Sequence, residues 1–131
     1  MRYLVVEEVL VMHAEVINQT GGSHGVRDVL LLDGIVEKPK MGFGGKSLYV
    51  GVYIKAAVYL HGFAMRHVFI DGNKRTAMIA AARCLSINGW ALIATNKELE
   101  DFAVRIVVAK LEIEAIARWL EEHAKRKIKA K

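Results

Sequence analysis

At 131 residues and 14.6 kDa the chain has the length of one ordinary domain, and a 53% hydrophobic composition is ample for a single core. The net charge of +5 is matched by the C-terminal run Lys125, Arg126, Lys127, Lys129 and Lys131, so the remainder is about neutral. Apolar runs are cut by charge at Lys55, Arg66 and Arg83, which excludes a membrane span of about 18 residues, and Glu7 and Glu8 interrupt the apolar region a signal peptide would need, so a cytoplasmic protein is expected.

In chain order, Val5, Val6, Val9, Met12, Val16 and Ile17 recur at three-and-four spacing and predict a helix that ends before Thr20-Gly21-Gly22. A second helix is predicted from about Val26 to Val36. Pro39 closes it, because it disfavours helical geometry in Lys38 and has no backbone N–H to donate. Gly42, Gly44 and Gly45 then indicate a loop or short hairpin. Leu48, Val52, Ala56, Tyr59, Leu60 and Phe63 mark a third helix over 47–65, and a fourth runs from Asn73 to Asn88 with Gly89 as terminator. Ala77, Ala80, Ala81 and Ala82 let neighbouring backbones approach it. Cys84, the single cysteine, reads as a small buried residue and excludes an internal disulfide. Residues 90–94 form a short extended stretch, followed by helices over about 97–108 and 113–127. The predicted architecture is an all-α bundle, one domain over 1–131, with one small hairpin at most. The basic C-terminal residues, without interleaved aromatics, read as a solvated helix end rather than a nucleic-acid interface.

The sequence GlyGlyLysSer at 44–47 is not a P-loop, since the earlier glycine of that motif falls on Lys40 and no strand precedes it. None of His13, His24, His61, His67 and His123 has metal-site spacing, and His13 and His61 lie on helix faces as packed or capping residues. His67 stands apart, because a helix breaks around it and ionisable residues follow within HVFIDGNKRTA, His67 to Ala77. There Lys74 and Arg75 sit at a helix start, an end already electropositive, which costs roughly 0.3–1 kcal/mol per cation unless an anion answers them. Phe69 reads as a core anchor, and Asp71 as a hard oxygen able to hold Mg²⁺ together with phosphates. Gly72 permits close backbone approach, and Asn73 can cap the helix with its amide facing outward. Lys74, Arg75 and the free N–H groups of the first turn then form a cradle whose missing anion is a nucleotide phosphate. The competing reading has Asp71 capping the helix, Lys74 and Arg75 solvated or paired with glutamates, and His67 merely ending the preceding helix.

The stretch from His67 to Ala77 resembles the signature loop of the Fic/Doc superfamily, in particular its Doc (death on curing) toxin branch. Gly21-Gly22, the PheGlyGly-x-x-LeuTyr segment at 43–49, the LysAlaAla-x-x-LeuHis segment at 55–61 and Asn88-Gly89 are similar to Doc sequences in the same order. Fic proteins typically carry His-Pro-Phe-x-Asp-Gly-Asn-Gly-Arg-x-x-Arg and transfer adenylyl groups. Here Val68 replaces the proline, Lys74 the second glycine and Met78 the second arginine.

The resemblance to Doc implies a toxin of a toxin–antitoxin pair that uses ATP and Mg²⁺. It implies transfer of the γ-phosphoryl group to a threonine of elongation factor Tu, blocking translation. His67 would be the general base, Asp71 would bind Mg²⁺, and Gly72, Asn73, Lys74 and Arg75 would hold the phosphates. The segment 40–46 corresponds to a target-docking flap. No Ser/Thr-x-x-x-Glu-Gly/Asn inhibitory pattern occurs, so inhibition by a separate cognate antitoxin is implied. Adenylyl or other nucleotidyl transfer to a protein hydroxyl, and a catalytically silent partner-binding module, stand as the alternatives.

Overall fold

The computed structural model describes residues 1–128. Its six helices are α1 (Val6–Thr20), α2 (Val29–Glu37), α3 (Val52–Met65), α4 (Asn73–Ile87), α5 (Asn96–Ala109) and α6 (Ile113–Glu122). Two antiparallel pairs accompany them. The first joins β1 (Gly42–Phe43) to β2 (Lys46–Ser47), and the second joins β3 (Trp90–Leu92) to β4 (Ala124–Arg126).

α3 is the central helix. Every residue from Lys55 to Leu60 is buried, as are Phe63 and Ala64, because α4, α6, α2 and α5 surround it. A helix covered on all sides has little amphipathic character, so its sequence is apolar almost all round. The small residues Ala77, Ala80, Ala81 and Cys84 of α4 are fully buried, and the last is pushed up by that burial to a thiol pKa of about 12. Tyr59, Phe63 and Phe69 are among the largest wholly buried side chains, which ties the loop after α3 to the middle of the core.

Three predicted boundaries move. Residues 26–28 are not the start of α2: Val26 forms an antiparallel bridge with Phe69, and Asp28 caps the helix by accepting from the Leu31 N–H at 3.0 Å. An N-cap residue has extended geometry, which places the helix start after it. The third helix begins at Val52 rather than Ser47, since Ser47 pairs with Gly42 and Gly51 takes φ +94 immediately before the first turn. The sixth helix stops at Glu122 rather than Lys127, because 124–126 pair with 90–92 as a second two-stranded sheet.

That last change corrects the reading of the basic residues as a solvated helix end. Lys125 and Arg126 lie in β4, Arg126 stacks on Trp90 at 5.0 Å, and the Lys127 N–H donates to Gly89 at 2.9 Å. The backbone groups of β3 need partners, and the residues after α6 supply them. Lys129 and Lys131 fall outside the described residues. Among the described residues no helix is long and apolar enough to cross a membrane.

Candidate active site

His67 to Gly72 connect the buried α3 to α4, and apolar and polar anchors hold the segment together. Val68 and Phe69 are fully buried, while His67, Ile70 and Asp71 are exposed between and beside them. The chain therefore turns its aromatic anchor inward and its ionisable groups outward. Gly72 adopts φ +78 and ψ +17, a left-handed conformation that lets α4 begin abruptly. A Cβ there would lie 3.1 Å from Ile17 and 3.2 Å from Val16 of α1, so the dihedral favours glycine and any side chain would also press against α1.

Asn73 does not face outward. Its side-chain amide accepts from the Phe69 N–H at 3.0 Å and donates to the Phe69 carbonyl at 2.9 Å, closing a two-bond clamp across the loop. The amide predicted to face a phosphate is thus engaged in shaping the loop that would receive one.

Residues of the preceding connection hold the other side. The N–H groups of Arg27 and Asp28 donate to the Val68 carbonyl at 2.7 and 3.2 Å, and the Ile70 N–H donates to Gly25 at 3.2 Å. Arg27 Nε donates to the His67 carbonyl at 2.7 Å. Ser23 N–H donates to Asp71 Oδ2 at 2.7 Å, made possible by Gly22, whose φ of +107 and missing side chain bring the backbone against Asp71. From α1, His13 stacks on Phe69 with ring centroids 3.9 Å apart, and its Nε2 donates to the Asp71 carbonyl at 2.8 Å. Because a carbonyl only accepts, this contact assigns the imidazole hydrogen to Nε2.

The N-terminus of α4 opens on a cleft of about 510 Å³. Lys74 and Arg75 stand at its polar side, and Val16, Met78, Leu99 and Val104 supply apolar walls. No side chain caps α4, whose first backbone bond runs from the Thr76 N–H to the Gly72 carbonyl at 3.0 Å. Arg75 lies 3.4 Å from Glu100, with both side chains more than half exposed. An exposed pair of this kind contributes little, about 0–1 kcal/mol, and leaves the guanidinium available to a stronger acceptor. Lys74 is exposed and has no ion-pair partner among the described residues.

His67, Asp71, Gly72, Asn73, Lys74 and Arg75 all lie on the connection from α3 into the first turn of α4, but of these only Lys74 and Arg75 line the cleft. Among the described residues no group of three or more His, Cys, Asp or Glu side chains is arranged to hold a metal by itself. Asp71 offers one carboxylate oxygen beyond the one bonded to Ser23. A single carboxylate fits a cation that takes its other ligands from phosphates and water. Sequence reasoning placed His13 as a packed residue without its bond to Asp71, and did not find Ser23, Gly25 or Arg27. The one local signal was a polar His13 in the same stripe as Val9 and Val16; the loop contacts are long-range and carry no periodic signature.

Residues 3–85 match the Fic/DOC family model. The chain is 37% identical over 102 residues to a protein named Toxin Doc from Mycolicibacterium smegmatis (strain ATCC 700084 / mc(2)155), covering 76% of this chain and 78% of that one. It is 28% identical over 120 residues to a protein named Protein kinase doc from Escherichia phage P1, covering 92% of this chain and 94% of that one. The matched span contains the braced loop, the glycine turn and the first turn of α4, and the chain belongs to the Fic/Doc family.

Proposed function

We propose that this protein is a Doc-like toxin that transfers the γ-phosphoryl group of ATP to a protein hydroxyl, with a threonine of elongation factor Tu as the acceptor. The observation that carries the reading is the pairing of an uncapped α4 N-terminus with two exposed cations beside a cleft of nucleotide-sized volume. Backbone N–H groups, helix dipole and both side chains favour the same anion at the same place. The names of the two relatives support a toxin and a kinase respectively.

In this reading the apolar walls at Val16, Met78, Leu99 and Val104 take the uncharged part of the nucleotide, and Lys74 and Arg75 take its phosphates. Met78 fills the position where Fic sequences have a second arginine, so phosphate binding concentrates at the loop end of α4. His67 accepts the proton of the target hydroxyl; its backbone is fixed through Arg27 while its side chain is exposed. Asp71 would hold Mg²⁺, which when bound would neutralise phosphate charge. Gly72 and Asn73 shape the cradle from behind, through the left-handed turn and the clamp on Phe69. Phosphoryl transfer rests mainly on positioning and charge stabilisation, which a rigid, multiply braced loop supplies. A separate antitoxin restrains the toxin by covering the cleft between α1, α4 and α5.

Titration calorimetry with ATP and magnesium tests the reading. The wild-type chain should bind, and a Lys74→Ala, Arg75→Ala double variant should bind at least tenfold more weakly, as loss of two charge-assisted contacts implies. Equal affinity in both chains would remove the cradle from the account.

A further inference from the structure

His13 is a buried polar residue to which the proposed reaction gives no part. It stands on α1 with 4% of its surface exposed. A leucine or phenylalanine fills such a place without burying polar nitrogens, so an imidazole there calls for a use of its nitrogen. The contacts supply one. The ring lies flat on Phe69, with an interplanar angle of 8°, and its Nε2 donates to the Asp71 carbonyl at 2.8 Å. Phenylalanine reproduces the stack without the donor, and glutamine the donor without the stack. One side chain of α1 thus grips the signature loop at its buried aromatic anchor and at its acidic residue.

That carbonyl belongs to the peptide between Asp71 and Gly72, whose plane is set by ψ of Asp71 and by φ of Gly72, the latter +78. Holding the plane fixes the direction in which the Asp71 side chain leaves the backbone. A second hold acts on the carboxylate itself, where Oδ2 accepts from the Ser23 N–H at 2.7 Å. Neither hold is local: His13 lies 58 residues from Asp71 in sequence, and Ser23 lies 48. Together they leave Oδ1 as the oxygen without a protein partner among the described residues. A carboxylate that merely capped α4 would need neither, and no side chain caps that helix.

We propose that His13 is the positioning residue of Asp71, fixing its backbone so that Oδ1 is presented to magnesium in one pose. The inference rests on the reading of Asp71 as the metal-binding carboxylate. A group that orients a ligand from behind raises metal affinity, because less freedom is lost when the ion binds. Magnesium demands near-octahedral geometry and gives up water reluctantly, so a lone carboxylate serves it best when held still. Lys74 and Arg75 reach the phosphates from the first turn of α4 and do not depend on this hold. Two consequences separate positioning from core packing. The Nε2 donor matters beyond the flat ring, and its loss affects only the binding that passes through magnesium.

Amide hydrogen exchange by NMR and calorimetry with ATP, on the full chain and its His13→Phe and His13→Gln variants, test the proposal. Without metal, Ser23 should exchange about tenfold faster in His13→Phe, while Phe69, held by Asn73, stays within about twofold of wild type. His13→Gln, which keeps a donor, should recover most of the Ser23 protection. ATP affinity in EDTA should agree within about twofold in all three chains, and the gain on adding magnesium should fall about tenfold in His13→Phe and partly return in His13→Gln. The nitrogen-15 spectrum of the wild-type imidazole needs no variant and stands even if His13→Phe does not fold: Nε2 should carry the hydrogen. A hydrogen on Nδ1 alone, unchanged Ser23 exchange in His13→Phe, or a magnesium gain that survives there in full overturns this proposal and leaves the phosphate cradle standing. A wild-type chain that binds ATP no better with magnesium removes the metal from Asp71, and this proposal with it.

Discussion

Asn73 and Phe69 are joined by two hydrogen bonds, one to the Phe69 N–H and one to its carbonyl, so a single side chain sets the backbone of the whole signature loop. The residue with the motif's most evident polar amide is spent on shape. Removing the amide leaves two partly buried backbone groups unpaired, each costing about 1–3 kcal/mol. Asn73→Ala should therefore lower the melting temperature and speed hydrogen exchange at Phe69. Asn73→Asp, which keeps an acceptor but loses the donor, should fall between it and wild type. Unchanged exchange at Phe69 in Asn73→Ala would show that the clamp does not hold the loop.

His67 occupies the opposite position in this division of labour. Its carbonyl is fixed by Arg27, but its side chain is exposed and makes no hydrogen bond among the described residues. His67→Ala should leave stability within about 0.5 kcal/mol of wild type and lower phosphoryl transfer by about 10²–10⁴. Paired denaturation and activity measurements separate the two effects. A destabilised variant would assign the ring a structural role instead.

Gly21 and Gly22 offer a controlled comparison. Both have positive φ, +85 and +107, so an alanine at either strains the backbone by roughly 1–3 kcal/mol. Only at Gly22 would the new Cβ meet Asp71, at 3.1 Å, whereas nothing lies within 4 Å at Gly21. Both substitutions should reduce stability, and Gly22→Ala alone should also reduce activity through a displaced Asp71 carboxylate. Melting curves and activity assays on the two variants, side by side, reveal whether the Gly22 contact matters for function.

Acid should weaken the fold through His61. Its burial, reinforced by nearby Lys38 and Arg66 and opposed by Glu112, holds its pKa below the ordinary value of about 6.5. The unfolded chain then binds the proton more readily than the folded one. The stabilisation from a neutral His61 is present above about pH 6.5 and declines as pH falls below that value. Melting temperatures measured from about pH 7 to about pH 5 should fall, and His61→Gln should flatten the slope. An identical slope in the variant would move the effect to another group.

The sequence made the helical architecture and the signature loop legible for physical reasons. Apolar spacing on α1 and α4 reflects burial against the core, and Gly72 followed by Lys74 and Arg75 is a local pattern on which the proposed anion cradle rests without distant information. What escaped it depends on pairing at long range. Residues 124–126 have helical neighbours in sequence but meet 90–92 in space, and nothing local in Lys125 or Arg126 announces a strand. Val26 continues an apolar pattern, yet its backbone is recruited by Phe69. The Asp28 cap was available locally and outweighs periodicity, a competition that hydrophobic spacing alone cannot judge.

Incubation of the purified chain with magnesium and elongation factor Tu, using ATP labelled at the γ-phosphate in one reaction and at the α-phosphate in another, probes the central claim most directly. Label on the factor's threonine from the γ position only, lost in His67→Ala, is the predicted result. Label carried from the α position would contradict it and assign this junction to nucleotidyl transfer.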